Sequence, residues 1–116
     1  MFHEMVSEIG ARVPGITNVF LAGTDGIVVN KLSEGEQDEL LIVEATTLLN
    51  ECNRMGGELG SGPLQSFSFS FADSHLVLQR INEEYFLLGV LAHQRFSGKL
   101  RFLLKAKACE CFVNVT

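Results

Sequence analysis

"VFLAGTDGIVVNKL" (residues 19–32) is a pair of apolar runs divided by Thr24-Asp25-Gly26. Asp-Gly between two β-rich runs is a strong hairpin signal, because both residues tolerate positive φ at low cost. A working carboxylate would want a second acid or a histidine beside it, and none lies near Asp25 in sequence. Asp25 therefore reads as a turn residue. If Asp25-Gly26 is a two-residue loop, Thr24 faces Ile27, Ala22 faces Val29 and Val19 faces Leu32; a longer loop changes that register. Apolar residues then fall on both faces of the pair, as in a sheet covered by helices on both sides.

The flanking sequence fits that frame. Upstream, Phe2, Val6, Ile9 and Val13 recur at helical spacing until Pro14-Gly15 stops them. Strands are expected at about 16–23 and 27–33. Ser33 then opens a long helix, standing three residues before Glu36 as in a capping box, and "EGEQDE" places negative charge at the helix's positive end. Gly56-Gly57 closes it, and "GGELGSGP" is a loop. "LQSFSFSFA" alternates, with Phe67, Phe69 and Phe71 on one face, expected to be buried, and Ser66, Ser68 and Ser70 on the other. "HLVLQRI" and "YFLLGVLA" follow as strands, the second apolar on both faces and hence central. From Arg95 a last helix carries Phe96, Leu100, Leu103 and Leu104. The order αββαβββα predicts an α+β fold: one five-stranded antiparallel sheet sandwiched between helices.

At 116 residues the chain is expected to form one domain, residues 1–116. A net charge of −5 argues against nucleic-acid binding, which needs a basic field. Arg95, Lys99, Arg101, Lys105 and Lys107 scatter around the last helix, which reads as ordinary solvation rather than a membrane or phosphate patch. No apolar run approaches the roughly 20 residues of a membrane span, and the acids in "MFHEMVSEIG" do not suit a signal peptide. Three cysteines, Cys52, Cys109 and Cys111, do not make a disulfide framework and point to a reducing, cytoplasmic setting.

No constellation for chemistry emerges. "GGELGSGP" lacks the Gly-Lys-Ser/Thr ending of a phosphate loop and runs from helix to strand. Cys109-Glu110-Cys111 lies on a helix, where side chains two apart diverge; partial burial is expected there. His3, His75 and His93 show no metal-ligand spacing, and His93 at a strand-to-helix junction reads as a local hydrogen-bonding residue. The expectation is a non-enzymatic protein with no cofactor, metal or catalytic residue.

The long helix is more informative. Met55, Leu48, Leu41, Cys52, Ala45, Leu49 and Ile42 fill an arc of about 140°, its sheet-facing side. Leu40 and Val43 fall outside it among polar residues, where a partner would cover them. The "FSFSF" strand begins a meander after a crossover, so it is expected at a sheet edge, and a regular edge invites pairing by another chain.

With "GITNVFLAGTDGIVV" after a short helix, a long second helix, a Gly-rich entry to the third strand and "YFLLGVLA" before a final helix, essentially the whole chain resembles the Roadblock/LC7 domain family. That family is similar to profilin and longin domains in architecture. The resemblance implies a sheet order 2-1-5-4-3, with the second helix on one face and the other two on the opposite face. It also implies a homodimer, or a heterodimer with a sister Roadblock subunit, made by joining third strands and packing second helices. Carried to this chain, the interface would comprise residues 64–72, including Ser66, Ser68 and Ser70, and the outer face of 36–55, with Leu40, Val43, Thr47 and Asn50 foremost. Family members act with small Ras-like GTPases, as regulators or recruiting subunits, or serve as dynein-type light chains. The resemblance thus implies a GTPase regulator, with a structural adaptor indifferent to nucleotide state as the alternative. No tail follows the final helix up to Thr116, so a role needing a long C-terminal extension is not expected.

Overall fold

The computed structural model describes residues 2–115, with side-chain surroundings from 3 to 110. The elements are α1 (Phe2–Arg12), β1 (Ile16–Gly23), β2 (Val28–Lys31), α2 (Asp38–Glu58), β3 (Ser66–Ser70), β4 (His75–Arg80), β5 (Tyr85–Leu91) and α3 (Ser97–Val115), the last preceded by a 3-10 turn, Gln94–Phe96. The strands form one antiparallel sheet in the order β2-β1-β5-β4-β3.

Alternation along the central strands explains the two layers. Val19 and Leu21 of β1 and Leu87 of β5 pack against α1 and α3, through Val6, Ile9, Leu100 and Leu104. Their neighbours Phe20, Ala22, Phe86 and Leu88 pack on the other face against Ile42, Ala45 and Leu49 of α2. Successive side chains point to opposite faces, so both-sided burial demands the unbroken apolar runs seen in these strands.

The opening hairpin is one residue longer at its tip than expected. Gly26 N–H donates to Gly23 O (2.9 Å) and Gly23 N–H donates to Ile27 O (2.8 Å), which makes Thr24-Asp25-Gly26 a three-residue loop. Asp25 Oδ1 accepts from Ile27 N–H at 3.0 Å, and Gly26 takes φ +89°, the left-handed position such a loop needs. Phe20 still pairs with Lys31 and Leu21 with Asn30, but Ala22 pairs with Val28 rather than Val29. A bulge absorbs the difference; Val28 packs toward α2 and Val29 is exposed.

Both ends of α2 depart from expectation. Ser33 does not open it. The Ser33 hydroxyl donates to Thr17 O (3.1 Å), and its N–H donates to Asn18 Oδ1 (3.1 Å), so β1 has claimed the groups a cap would use. Instead Asp38, in the first turn, reaches back to accept from Gly35 N–H at 2.9 Å. At the other end Gly56 and Gly57 remain helical. Closure comes later, where Gly60 takes φ +69° and Ser61 and Gly60 N–H donate to Gly56 O (2.8 Å) and Gly57 O (3.2 Å). That bond pair is a Schellman motif.

Among the described residues no helix is long and apolar enough to cross a membrane.

Candidate partner-binding surface

β3 is an edge strand, paired only with β4 in the sheet. Phe71 N–H donates to Ser74 O and Arg80 N–H donates to Gln65 O, both at 2.8 Å. In an antiparallel ladder hydrogen-bonded positions alternate, so Phe67 and Phe69 spend their backbone groups on β4. Ser66, Ser68 and Ser70 turn theirs to the open side.

α2 lies over β1, β5 and β4 and leaves the space above β3 uncovered. The result is an apolar groove of about 470 Å³, walled by Leu40, Leu41, Ala45 and Leu48 of α2 and floored by Phe67, Phe69, Phe71, Leu76, Leu88 and Val90. This corrects two expectations. Leu48 and Met55 are exposed rather than part of the sheet contact, with Leu41 only half-buried. The Phe face is not buried either: Phe67 and Phe69 are half-covered and Phe71 is 58% exposed. The three rings form a tilted stack, with centroids 4.9 Å and 6.4 Å apart.

The interface residues expected from the sequence do not form one patch. Leu40, 59% exposed, stands on the groove wall. Val43, 56% exposed, lies on the opposite shoulder of α2, in a second hollow with Val28, Lys31 and Asp38. Thr47 and Asn50 are exposed, and the Thr47 hydroxyl donates to Val43 O within its own helix (2.8 Å). Ser68 pairs with Val77 of the α1/α3 layer, so the serine side chains face away from the groove while their backbone groups sit at its open edge.

An ion cluster pins β2 to the start of α2. Lys31 Nζ lies 2.8 Å from Glu34 and 3.1 Å from Asp38. The hydrogen bond to Glu34, then that to Asp38, holds the Lys31 pKa above its ordinary value. Asp38 is buried, a charge that needs such a partner.

Sequence reasoning missed one side-chain pair: Ser70 Oγ and His75 Nδ1 share a 2.7 Å hydrogen bond across the β3–β4 turn, a contact visible only once the strand register is known. Cys109 is exposed rather than partly buried; the side chain of Cys111, the other half of that motif, lies outside the described residues. Among the described residues no three His, Cys, Asp or Glu side chains gather as a metal site would require.

A five-stranded antiparallel sheet with one long helix on one face, two on the other and a bare edge beside an apolar groove is a profilin-like sandwich. The chain belongs to the Roadblock/LC7 domain family, whose family model matches residues 2–92. Solved structures agree on the fold. A Roadblock/LC7 domain from Streptomyces avermitilis superposes with a TM-score of 0.86 at 15% identity, over 97% of this chain and 96% of that one. MglB from Myxococcus xanthus gives 0.85 at 11% identity, over 97% and 93%. Profilin II from Acanthamoeba castellanii gives 0.72 at 9% identity over the whole of both chains. No curated protein matches the chain in sequence.

Proposed function

We propose that this chain is a self-associating, non-catalytic interaction module that binds and regulates a small Ras-like GTPase. The observation that carries the reading is the groove between α2 and β3, apolar and open, bordering a strand edge with unspent backbone groups. A second copy is the occupant we assign to it. Edge-to-edge pairing of β3 would satisfy Ser66, Ser68 and Ser70 and bring two Phe-floored grooves together beneath two α2 helices. Membership of the Roadblock/LC7 family and the structural likeness to MglB support this reading.

The joined α2 helices would then offer their outer face, with Val43, Thr47 and Asn50, to the GTPase. Such a surface needs no catalytic side chain. It acts by binding one arrangement of the GTPase's switch loops better than another, which shifts the population toward that state.

Two measurements test the parts separately. Light scattering should give about twice the 12.8 kDa chain mass at micromolar concentration; a clean monomer at high concentration would remove the edge-pairing argument. Immobilised protein should capture a small GTPase from a lysate of its own organism in only one of two halves, loaded with a non-hydrolysable GTP analogue or with GDP. Equal capture of a non-GTPase assembly from both halves would make the module a structural adaptor.

A further inference from the structure

Charge is segregated across the sheet. Seven of the fourteen acids fall between Glu34 and Glu58, with Arg54 as the only cation there. Five of the nine Lys and Arg residues fall between Arg95 and Lys107, and no acid lies between Glu84 and Glu110. The first set lies on α2 and the loop before it, the second on α3 and the 3-10 turn before it, and the two helices cover opposite faces of the sheet.

Nor are the cations of α3 a uniform scatter, as the sequence alone suggests. Lys107 is buried and bonds Glu8 of α1 and Glu110. Arg95, Lys99, Arg101 and Lys105 are exposed, and among the described residues none of them meets a carboxylate. In their midst stands Phe102, 71% exposed. Lys99 and Lys105 flank it three residues before and after, where helical side chains are neighbours. Arg95 lies in the 3-10 turn that leads into α3, with its guanidinium 5.3 Å from the centre of the Phe96 ring.

We infer that the outer face of α3 docks an acidic segment of a partner protein, with an apolar side chain of that segment set on Phe102 and its carboxylates on Lys99 and Lys105. Unpaired cations ringing a solvated aromatic are complementary to such a segment. A bilayer suits the face less well. An interfacial helix needs a whole apolar side, whereas Leu100, Leu103, Leu104 and Ala108 are spent on the core and Phe102 is the one exposed large apolar residue on the described part of α3. A nucleic acid suits it less well too, because its long run of phosphates would extend past these few cations onto a chain of net charge −5, whereas a short acidic segment need not. The site is separate from the α2/β3 surface and stands whether or not that surface binds a GTPase.

The test uses the full chain and a short fluorescein-labelled peptide in which Glu residues flank a central Leu-Leu pair, followed by anisotropy at low and high salt. The peptide should bind, and binding should weaken as salt screens the charges. Lys99→Glu combined with Lys105→Glu should weaken it about tenfold or more, and Phe102→Ala about fivefold or more. Val43→Glu, on the other face, should leave it unchanged. All of these positions are exposed, so melting temperatures should stay near the parent's. Failure of the peptide to bind at low salt, or equal binding of the version with Gln for Glu, would overturn the inference. So would binding that survives charge reversal or is lost with Val43→Glu. Phosphatidylserine vesicles or single-stranded DNA binding through Phe102 where the peptide does not would overturn it in favour of a bilayer or a nucleic acid.

Discussion

Lys107 and Glu8 form a salt bridge that ties α3 to α1 across most of the length of the chain. The hydrogen bond from Lys107 holds the Glu8 carboxyl below its ordinary 4.5, and the same bond raises Lys107 above its ordinary 10.5. Glu8 therefore contributes stability above pH 4.5 that is lost as pH falls through its lowered folded value. Lys107 contributes stability below pH 10.5 that is lost as pH rises through its raised one. Glu8→Gln should lower the melting temperature at neutral pH by a few degrees at most, because Glu8 is partly solvated. In a series of melts against pH, the gap to the parent should close as both chains are taken well below pH 4.5.

Substitutions around α2 should separate association from folding. Val43→Glu and Leu48→Glu alter exposed positions, so each should shift stability by only about 0.5 kcal/mol. Leu48→Glu, on the groove wall, should weaken self-association about tenfold or more by sedimentation, since it places a charge where the second copy must pack. Val43→Glu, on the opposite shoulder, should leave self-association intact and weaken capture of the GTPase. Phe69→Lys, at a half-buried groove position, should also abolish association. It should lower stability by about 1 kcal/mol, far less than loss of a fully buried ring.

The ladder alternation sets a register for the proposed pairing. With the two-fold axis at the middle of β3, Ser68 meets Ser68 of the second copy as a hydrogen-bonded pair, about 5.5 Å between Cα atoms. That spacing suits a disulfide. Ser68→Cys should give a covalent dimer on a non-reducing gel under mild oxidation, whereas Ser66→Cys alone should not, because Ser66 would meet Ser70. Cross-linking by Ser66→Cys but not Ser68→Cys would reject this register.

Gly60 closes α2 at positive φ, a conformation that disfavours any residue with a Cβ. Gly60→Ala should destabilise the protein by about 1 kcal/mol, or about 4 °C in melting temperature. Gly57→Ala should not, because Gly57 is helical and a Cβ added there meets nothing within 4 Å.

Elements made by local pattern were legible in the sequence, and features set by a distant partner were not. β1 and β5 show their both-sided burial as unbroken apolar runs, and Asp25-Gly26 marks a turn wherever it occurs. One bulged residue moves the pairing near the tip, since the same dipeptide serves two-residue and three-residue loops equally well. Ser33 carries every local mark of a helix cap, yet Thr17 and Asn18 compete for its hydrogen bonds and win. On α2, a helical wheel finds Leu40 and Val43 exposed without difficulty. It cannot show that Leu48 stands over an open groove above β3 or that Met55 is left exposed, because that depends on which strands α2 crosses. The groove was hidden for the same reason.

The opposed charges of the α2 and α3 layers give the molecule an electric axis running through its sheet. A charged body approaching from solution feels that axis before any contact and is turned by it: cationic surfaces toward α2, anionic ones toward α3. Joining two copies edge to edge about an axis normal to the sheet would add these fields rather than cancel them. The two sides would then sort their visitors by rate of arrival, a selectivity that fades as ionic strength rises and requires no change in shape.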